Sequence, residues 1–171
     1  MANANNPHGL LPLYSLAGGA LLVEEFDKLS TYGTALYPGD AVACTADGRV
    51  LEVPATPGTT RISGVNLNWG AASKATKHLV VVDPVYVFEA QADDALAAAD
   101  MGLNANLVYG AGSATKLTSG HQIDASTVAV TATLDVKLLK KLAIPGNDWG
   151  AYVRIEILIN KHRMTGDTAG V

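Results

Sequence analysis

The segment Ala151–Asn160 (AYVRIEILIN) decides the fold, because its side chains alternate in character with a period of two. Four aliphatic residues share one face of an extended chain, and this pattern predicts a β-strand with one face in the core. Burial of four such side chains contributes on the order of 6–10 kcal/mol in gross transfer free energy. We therefore expect this strand to be central. The four residues are Val153, Ile155, Ile157 and Ile159.

Other short β-type runs precede this segment. Ala41–Cys44 and Arg49–Val53 flank an Asp47-Gly48 pair, which is typical of a tight hairpin turn. His78–Val82 and Pro84–Gln91 are the most strongly β-forming stretches of the chain. The sequence therefore predicts strands spaced at turn-bounded intervals.

Two further segments are less regular. Thr127–Leu142 alternates at first and then becomes ambiguous at VKLLKKL, where a helical turn is also possible. Asp93–Met101 predicts a short helix, with Asp93 as N-cap and Gly102 at the C-cap position. About eight short strands and one short helix predict a mainly β fold, either a β-barrel or a β-sandwich.

The first part of the chain has no clear period. Residues 1–38 mix glycine, proline and apolar residues, and we interpret them as an extended N-terminal arm. Residues 39–171 then form the β-rich domain. The apolar run Gly9–Val23 is interrupted by Pro12 and is too short to span a bilayer, so we expect neither export nor membrane insertion.

Composition favours a structural or binding protein. About half of the residues are hydrophobic, and only 16% are charged, against roughly 25% in a typical soluble domain. The net charge is −4 and no basic run occurs, which argues against nucleic-acid binding. The single cysteine, Cys44, excludes an intramolecular disulfide.

The sequence predicts no catalytic, cofactor or metal site, and we do not expect an enzyme. The four histidines are far apart along the chain and do not have local metal-ligand spacing. Ser119-Gly120-His121 places a hydroxyl beside an imidazole. The nearest carboxylate in sequence, Asp124, is better suited to capping backbone amides in a turn.

The order of the motifs resembles a family of small structural proteins of tailed bacteriophages. The resemblance is carried by MANAN at the start, then YGTALYPGDAV, ISGVNLNW, LVVVDPVYVFEAQ and a final YVRIEILINKHRM. It implies a head decoration (cement) protein on the capsid exterior of the virion, made in the bacterial host cytoplasm. The implied partners are the major capsid protein and two further copies in a homotrimer. This chain departs from the family where YSLAGGALLVEEF replaces a more aromatic, arginine-containing stretch.

Within this interpretation we expect capsid contacts in the N-terminal arm, where apolar and amide side chains have no evident core partner. The alternative is a head-fibre, tail or host-surface adhesion module that binds glycans through Trp69 and Trp149, which lie in turn-like contexts. The expected capsid-binding residues are Asn3, Asn5, Pro7, Leu10, Leu11 and Leu13.

Overall fold

The computed structural model describes residues 3–45, 51–54, 56–165 and 169–170, which form a mainly β, sandwich-like fold. Within these ranges the strands are β1 (Leu11–Ser15), β2 (Val23–Lys28), β3 (Ala41–Cys44), β4 (Leu51–Glu52), β5 (Gly64–Asn66), β6 (Thr76–Val81), β7 (Tyr86–Gln91), β8 (Ala95–Leu96), β9 (Asn104–Val108), β10 (Gln122–Ala129), β11 (Val136–Lys141), β12 (Gly150–Ala151) and β13 (Arg154–Ile159).

The strands form two main antiparallel sheets. The first sheet has the order β1-β7-β13-β11-β9-β10, and the second sheet has the order β2-β6-β5-β3-β4. A small ribbon pairs β12 with β8. An isolated parallel bridge joins Ala92 to Ile123, so that the end of β7 approaches β10. The first sheet curls towards itself there, but it does not close into a barrel in the described part of the chain.

The strand that the sequence singles out is central, as predicted. β13 lies between β7 and β11 in the first sheet. Val153, Ile155 and Ile157 are fully buried, and Ile159 is almost so. Their core also contains Val65 and Val81 of the second sheet, so one apolar layer joins the two sheets.

The predicted helix over Asp93–Met101 is wrong. In its place Ala95–Leu96 pair with Gly150–Ala151, and a 3₁₀ turn spans Ala98–Asp100. The physical reason lies in Asp93, whose Oδ1 accepts a hydrogen bond from the backbone of Ala125 in β10 instead of capping a helix. Among the described residues, no helix has the length and hydropathy needed to cross a bilayer.

The hairpin predicted around residues 41–53 is confirmed in its strands, because β3 pairs antiparallel with β4. Its Asp47-Gly48 turn lies outside the described residues. The segment Thr127–Leu142 is split between the end of β10 and β11, and the stretch for which a helical turn was possible is extended. Pairing with β13 and β9 on its two sides holds β11 extended.

The first 38 residues are more closely packed than an arm. β1 pairs with β7 in the first sheet, and β2 pairs with β6 in the second. Leu36 is fully buried. The weak sequence pattern has a structural cause, since β1 carries a register shift between Pro12 and Tyr14 that interrupts the alternation. Of this stretch, residues 3–10 precede β1 without regular secondary structure, and we call them the N-terminal segment.

Candidate binding surface

The N-terminal segment begins with an asparagine clamp. Asn3 Nδ2 donates to the carbonyl oxygens of Asp148 (2.8 Å) and Ala151 (3.0 Å). Its Oδ1 accepts from the backbone N–H of Asp148 at 3.1 Å. One amide side chain therefore fixes the start of the segment to the turn that precedes β13.

The segment next crosses the face of the first sheet that points away from the core. Gln91 alternates with the core residue Ala90 along β7, so its side chain projects to that outer face. Gln91 Oε1 accepts from Asn6 N at 2.9 Å, and Gln91 Nε2 donates to the carbonyl of Ala4 at 3.0 Å. Through these two bonds, the Gln91 side chain holds the backbone of the N-terminal segment against β7.

A buried ionic cluster lies under the same segment. Glu89 is only 4% exposed, and its Oε1 contacts His8 Nε2 at 2.9 Å and the guanidinium of Arg154. Burial alone would raise the pKa of Glu89, but the hydrogen bonds and charges of His8 and Arg154 hold it below its usual range. His8 of the N-terminal segment therefore helps to offset the free-energy cost of burying the Glu89 carboxylate.

A glycine sets the point where the segment enters β1. Gly9 has φ = +74°, and a Cβ there would lie 2.4 Å from the carbonyl oxygen of Gly39 and 2.4 Å from Ser119 Cβ. Leu10 N then donates to the same Gly39 carbonyl at 2.9 Å. The close approach requires glycine and directs Leu10 into the core.

The predicted capsid-binding residues are therefore distributed over different environments. Leu10 is fully buried in the main core, so the premise that it lacks a core partner is wrong. Asn3 is held as described above, and Asn5 Oδ1 accepts from Gln122 Nε2 at 3.3 Å. Pro7 and Leu13 are half-buried, whereas Leu11 is 38% exposed. Of the four apolar residues predicted, Leu11 is the most accessible to a partner.

Further exposed apolar residues lie where β1 ends and just before β2 and β7 begin. Leu16 N donates to the carbonyl of Val85 (3.1 Å), and Val82 N donates to the carbonyl of Leu22 (3.1 Å), which brings these residues to one edge. Sequence reasoning missed most of this surface because its members are separated along the chain. We define the apolar strip as Leu11, Leu16, Leu22 and Val85, all exposed.

The apolar strip is better suited to contact with a partner's side chains than to pairing with a partner's β-strand. β1 is an edge strand of the first sheet, but Pro12 lacks an N–H donor and the following register shift distorts the edge. Both features discourage pairing with a further strand. A partner would therefore meet Leu11 on the edge strand, and the leucine and valine side chains of the loops beside it, rather than an open ladder.

An open cavity of about 730 Å³ lies beside β3 and the end of β9. At its floor His121 Nε2 approaches Asp40 Oδ1 at 3.4 Å, and His121 Nδ1 accepts from Ala41 N at 3.1 Å. Asp40 Oδ2 accepts from Tyr37 N at 2.7 Å, and the carboxylate also takes a hydrogen bond from Ser119. The carboxylate that orients His121 is therefore Asp40, not Asp124, and its distance along the chain hid it from sequence reasoning.

The hydrogen bonds among Asp40, Ser119 and His121 hold the backbone in place. Burial lowers the pKa of His121 to about 3 and raises the pKa of Asp40 to about 6. Because both ring nitrogens of His121 are already engaged, neither is free to take a proton from a substrate hydroxyl. Ser119 Oγ, which bonds Asp40, also accepts from His121 N at 3.0 Å. The Ser119–His121 pair ties a loop to the start of β3.

No family model, curated protein or solved structure matches this chain. We therefore infer function from the order of the sequence motifs and from the geometry of these surfaces. Within the described residues, no group of three histidine, cysteine, aspartate or glutamate side chains could hold a metal ion.

Both tryptophans are exposed, at 47% for Trp69 and 39% for Trp149. Lys141 Nζ lies 5.7 Å from the centre of the Trp149 ring, so a cation already occupies one approach to that ring. Trp69 lies between β5 and β6 of the second sheet, and Trp149 precedes β12 of the small ribbon. The two rings thus belong to different parts of the fold.

Proposed function

We propose that this protein is a capsid decoration (cement) protein of a tailed bacteriophage. It binds the outside of the phage head and stabilises contacts between subunits of the major capsid protein. The apolar strip carries this proposal, because its four exposed aliphatic side chains, Leu11 on the edge strand β1 and three in loops, gain free energy when a partner covers them. The resemblance of the motif order to phage structural proteins supports the choice of the major capsid protein as partner.

A homotrimer strengthens binding without a large interface for each chain. Three copies around a local threefold axis would present three apolar strips to neighbouring capsid subunits. Each contact after the first is then effectively intramolecular, which raises the overall affinity. Light scattering of the free protein tests this part of the proposal: a mass three times that of one chain is expected, and a strictly monomeric protein would contradict it.

Sedimentation with expanded heads that lack the protein tests the function. Wild-type protein at micromolar concentration is expected to pellet with the heads. Leu16→Ser places a polar group in the apolar strip at a residue that is 57% exposed, so it should weaken pelleting and leave the fold intact. Wild-type protein that stays in the supernatant would overturn the proposal.

The matched control is Leu29→Ser. Leu29 is 47% exposed, directly follows the far end of β2 and lies away from the apolar strip. This substitution changes the same atoms of an exposed leucine in another part of the molecule. Equal loss of pelleting in the two variants would show that the strip has no special role.

A head-fibre, tail or host-surface adhesion module is the second candidate function. The exposed indole of Trp69 favours it, because sugar rings stack on such side chains. A glycan array with labelled protein and a Trp69→Ala control tests this alternative. Binding lost in the control would support it, and an array without hits would remove it.

A further inference from the structure

The cavity beside β3 has the size and walls of a binding site. Its volume of about 730 Å³ lies within the range of small-ligand pockets, roughly 300–1,000 Å³. Tyr32 and Tyr37 line it from the segment before β3, and Pro54 and Pro57 line it from the segment after β4. Tyr109 completes the wall after β9. Three tyrosine rings and two prolines give it an aromatic, weakly polar lining.

A close approach of two loops forms this wall. Gly112 lies so near Tyr37 that a Cβ would sit 2.2 Å from the tyrosine ring. The Tyr109 hydroxyl donates to Asp135 Oδ2 at 3.1 Å, which fixes the orientation of that ring. The cavity is therefore preformed by packing and hydrogen bonds.

The charges at the cavity are negative. Asp40 and Asp124 both line it, and no lysine or arginine does so among the described residues. Asp124 Oδ1 accepts from Ser126 N (3.1 Å) and Ser126 Oγ (2.6 Å), which holds the carboxylate in one orientation. Lys28, near the Tyr32 ring, does not line the cavity, and its ammonium is bound to backbone carbonyls. Phosphates and carboxylates are disfavoured here, and cations are favoured.

We propose that this cavity receives an arginine side chain from a partner protein. A planar guanidinium stacks on tyrosine rings and pairs with a carboxylate, and the cavity offers both, with Asp124 as the accessible carboxylate because Asp40 is buried and already hydrogen-bonded. An extended segment carrying that arginine would lie along the cavity mouth. The inference does not depend on whether the partner is a capsid protein, because it follows from the lining alone.

Titration with the tripeptide acetyl-Gly-Arg-Gly-amide, followed by amide NMR, tests this inference. We expect shifts concentrated at Gly110 and Gly112, whose amides border the cavity. The citrulline analogue has nearly the same shape without the charge, and it should bind at least about threefold more weakly, as expected for loss of a partly exposed ion pair. Equal affinity for the two peptides, or no shift at the cavity amides, would overturn the proposal.

Two variants locate the binding. Asp124→Asn removes the carboxylate at the cavity and should weaken arginine-peptide binding about two- to fivefold. Asp94→Asn is the matched control, because Asp94 is exposed on the β8 side, away from the cavity lining. Equal weakening in both variants would indicate only a general attraction to an acidic protein and would contradict the site. Wild-type protein that does not bind the arginine peptide but sediments normally with heads would remove this inference and leave the proposed function standing.

Discussion

Replacing Leu10 with alanine tests whether the start of the chain belongs to the folded core. Leu10 is fully buried in the main core, so the change removes three carbon atoms and leaves a cavity. Substitutions of this type cost about 3 kcal/mol in the free energy of unfolding. A domain of this size loses roughly 2–4 °C in Tm for each kcal/mol, so Tm should fall by about 6–12 °C.

The adjacent residue provides the matched control. Leu11→Ala removes the same atoms from a side chain that is 38% exposed, and it should cost about 1 kcal/mol or less. Urea denaturation followed by far-UV circular dichroism measures both variants, and the slope of free energy against urea should stay unchanged. A loss for Leu10→Ala as small as that for Leu11→Ala would refute the placement of this residue in the core.

Three further predictions concern single residues of the scaffold. Gly9→Ala should cost more than about 2 kcal/mol, since it adds strain at positive φ to a clash with the Gly39 carbonyl; thermal denaturation that shows less than half of this loss contradicts the close approach. Lys28→Met should cost about 1–3 kcal/mol by leaving the carbonyls that Lys28 Nζ bonds without their donor, and chemical denaturation measures it. His121 should keep a neutral ring at pH 5, because its folded pKa is about 3 and an unfolded histidine titrates near 6.5; imidazole NMR that shows a charged ring would contradict this. The resulting proton uptake on unfolding lowers stability by about 2 kcal/mol between pH 6.5 and pH 5, and Asp40, whose folded pKa of about 6 lies above its unfolded value, offsets about 1 kcal/mol of that loss.

The parts of the fold that were predictable from sequence are those with strong alternation. β13 and β7 carry long apolar or β-branched runs, and the predicted central place of β13 follows from the need to bury its aliphatic face. The hairpin of β3 and β4 was predictable from a turn signal between two short apolar runs. In these elements local preference and tertiary packing agree.

The parts that were not predictable depend on contacts distant in sequence. Alanines at 97–99 are good helix formers, yet the Asp93 side chain bonds to β10 and the neighbouring residues pair with β12. Leu10 resembles the other leucines of its segment, and only the Gly9 turn against Gly39 directs it inward. Tertiary contacts override local propensity in both places.

The candidate site was predictable only in part. The N-terminal stretch drew attention because it is apolar and lacks a period, and Leu11 is in fact exposed there. Leu22 and Val85 gave no signal, because they join the apolar strip only after β1 and β2 take places in separate sheets. The Asp40–His121 pair is likewise formed by folding, between residues far apart in the chain.

Cryo-electron microscopy of expanded heads saturated with this protein tests the central claim most directly. Our account predicts ordered density on the outer surface of the head, with the apolar strip turned towards the capsid subunits and copies arranged around local threefold positions. Heads without added density, or density in which Leu11 and Leu16 face solvent, would contradict it.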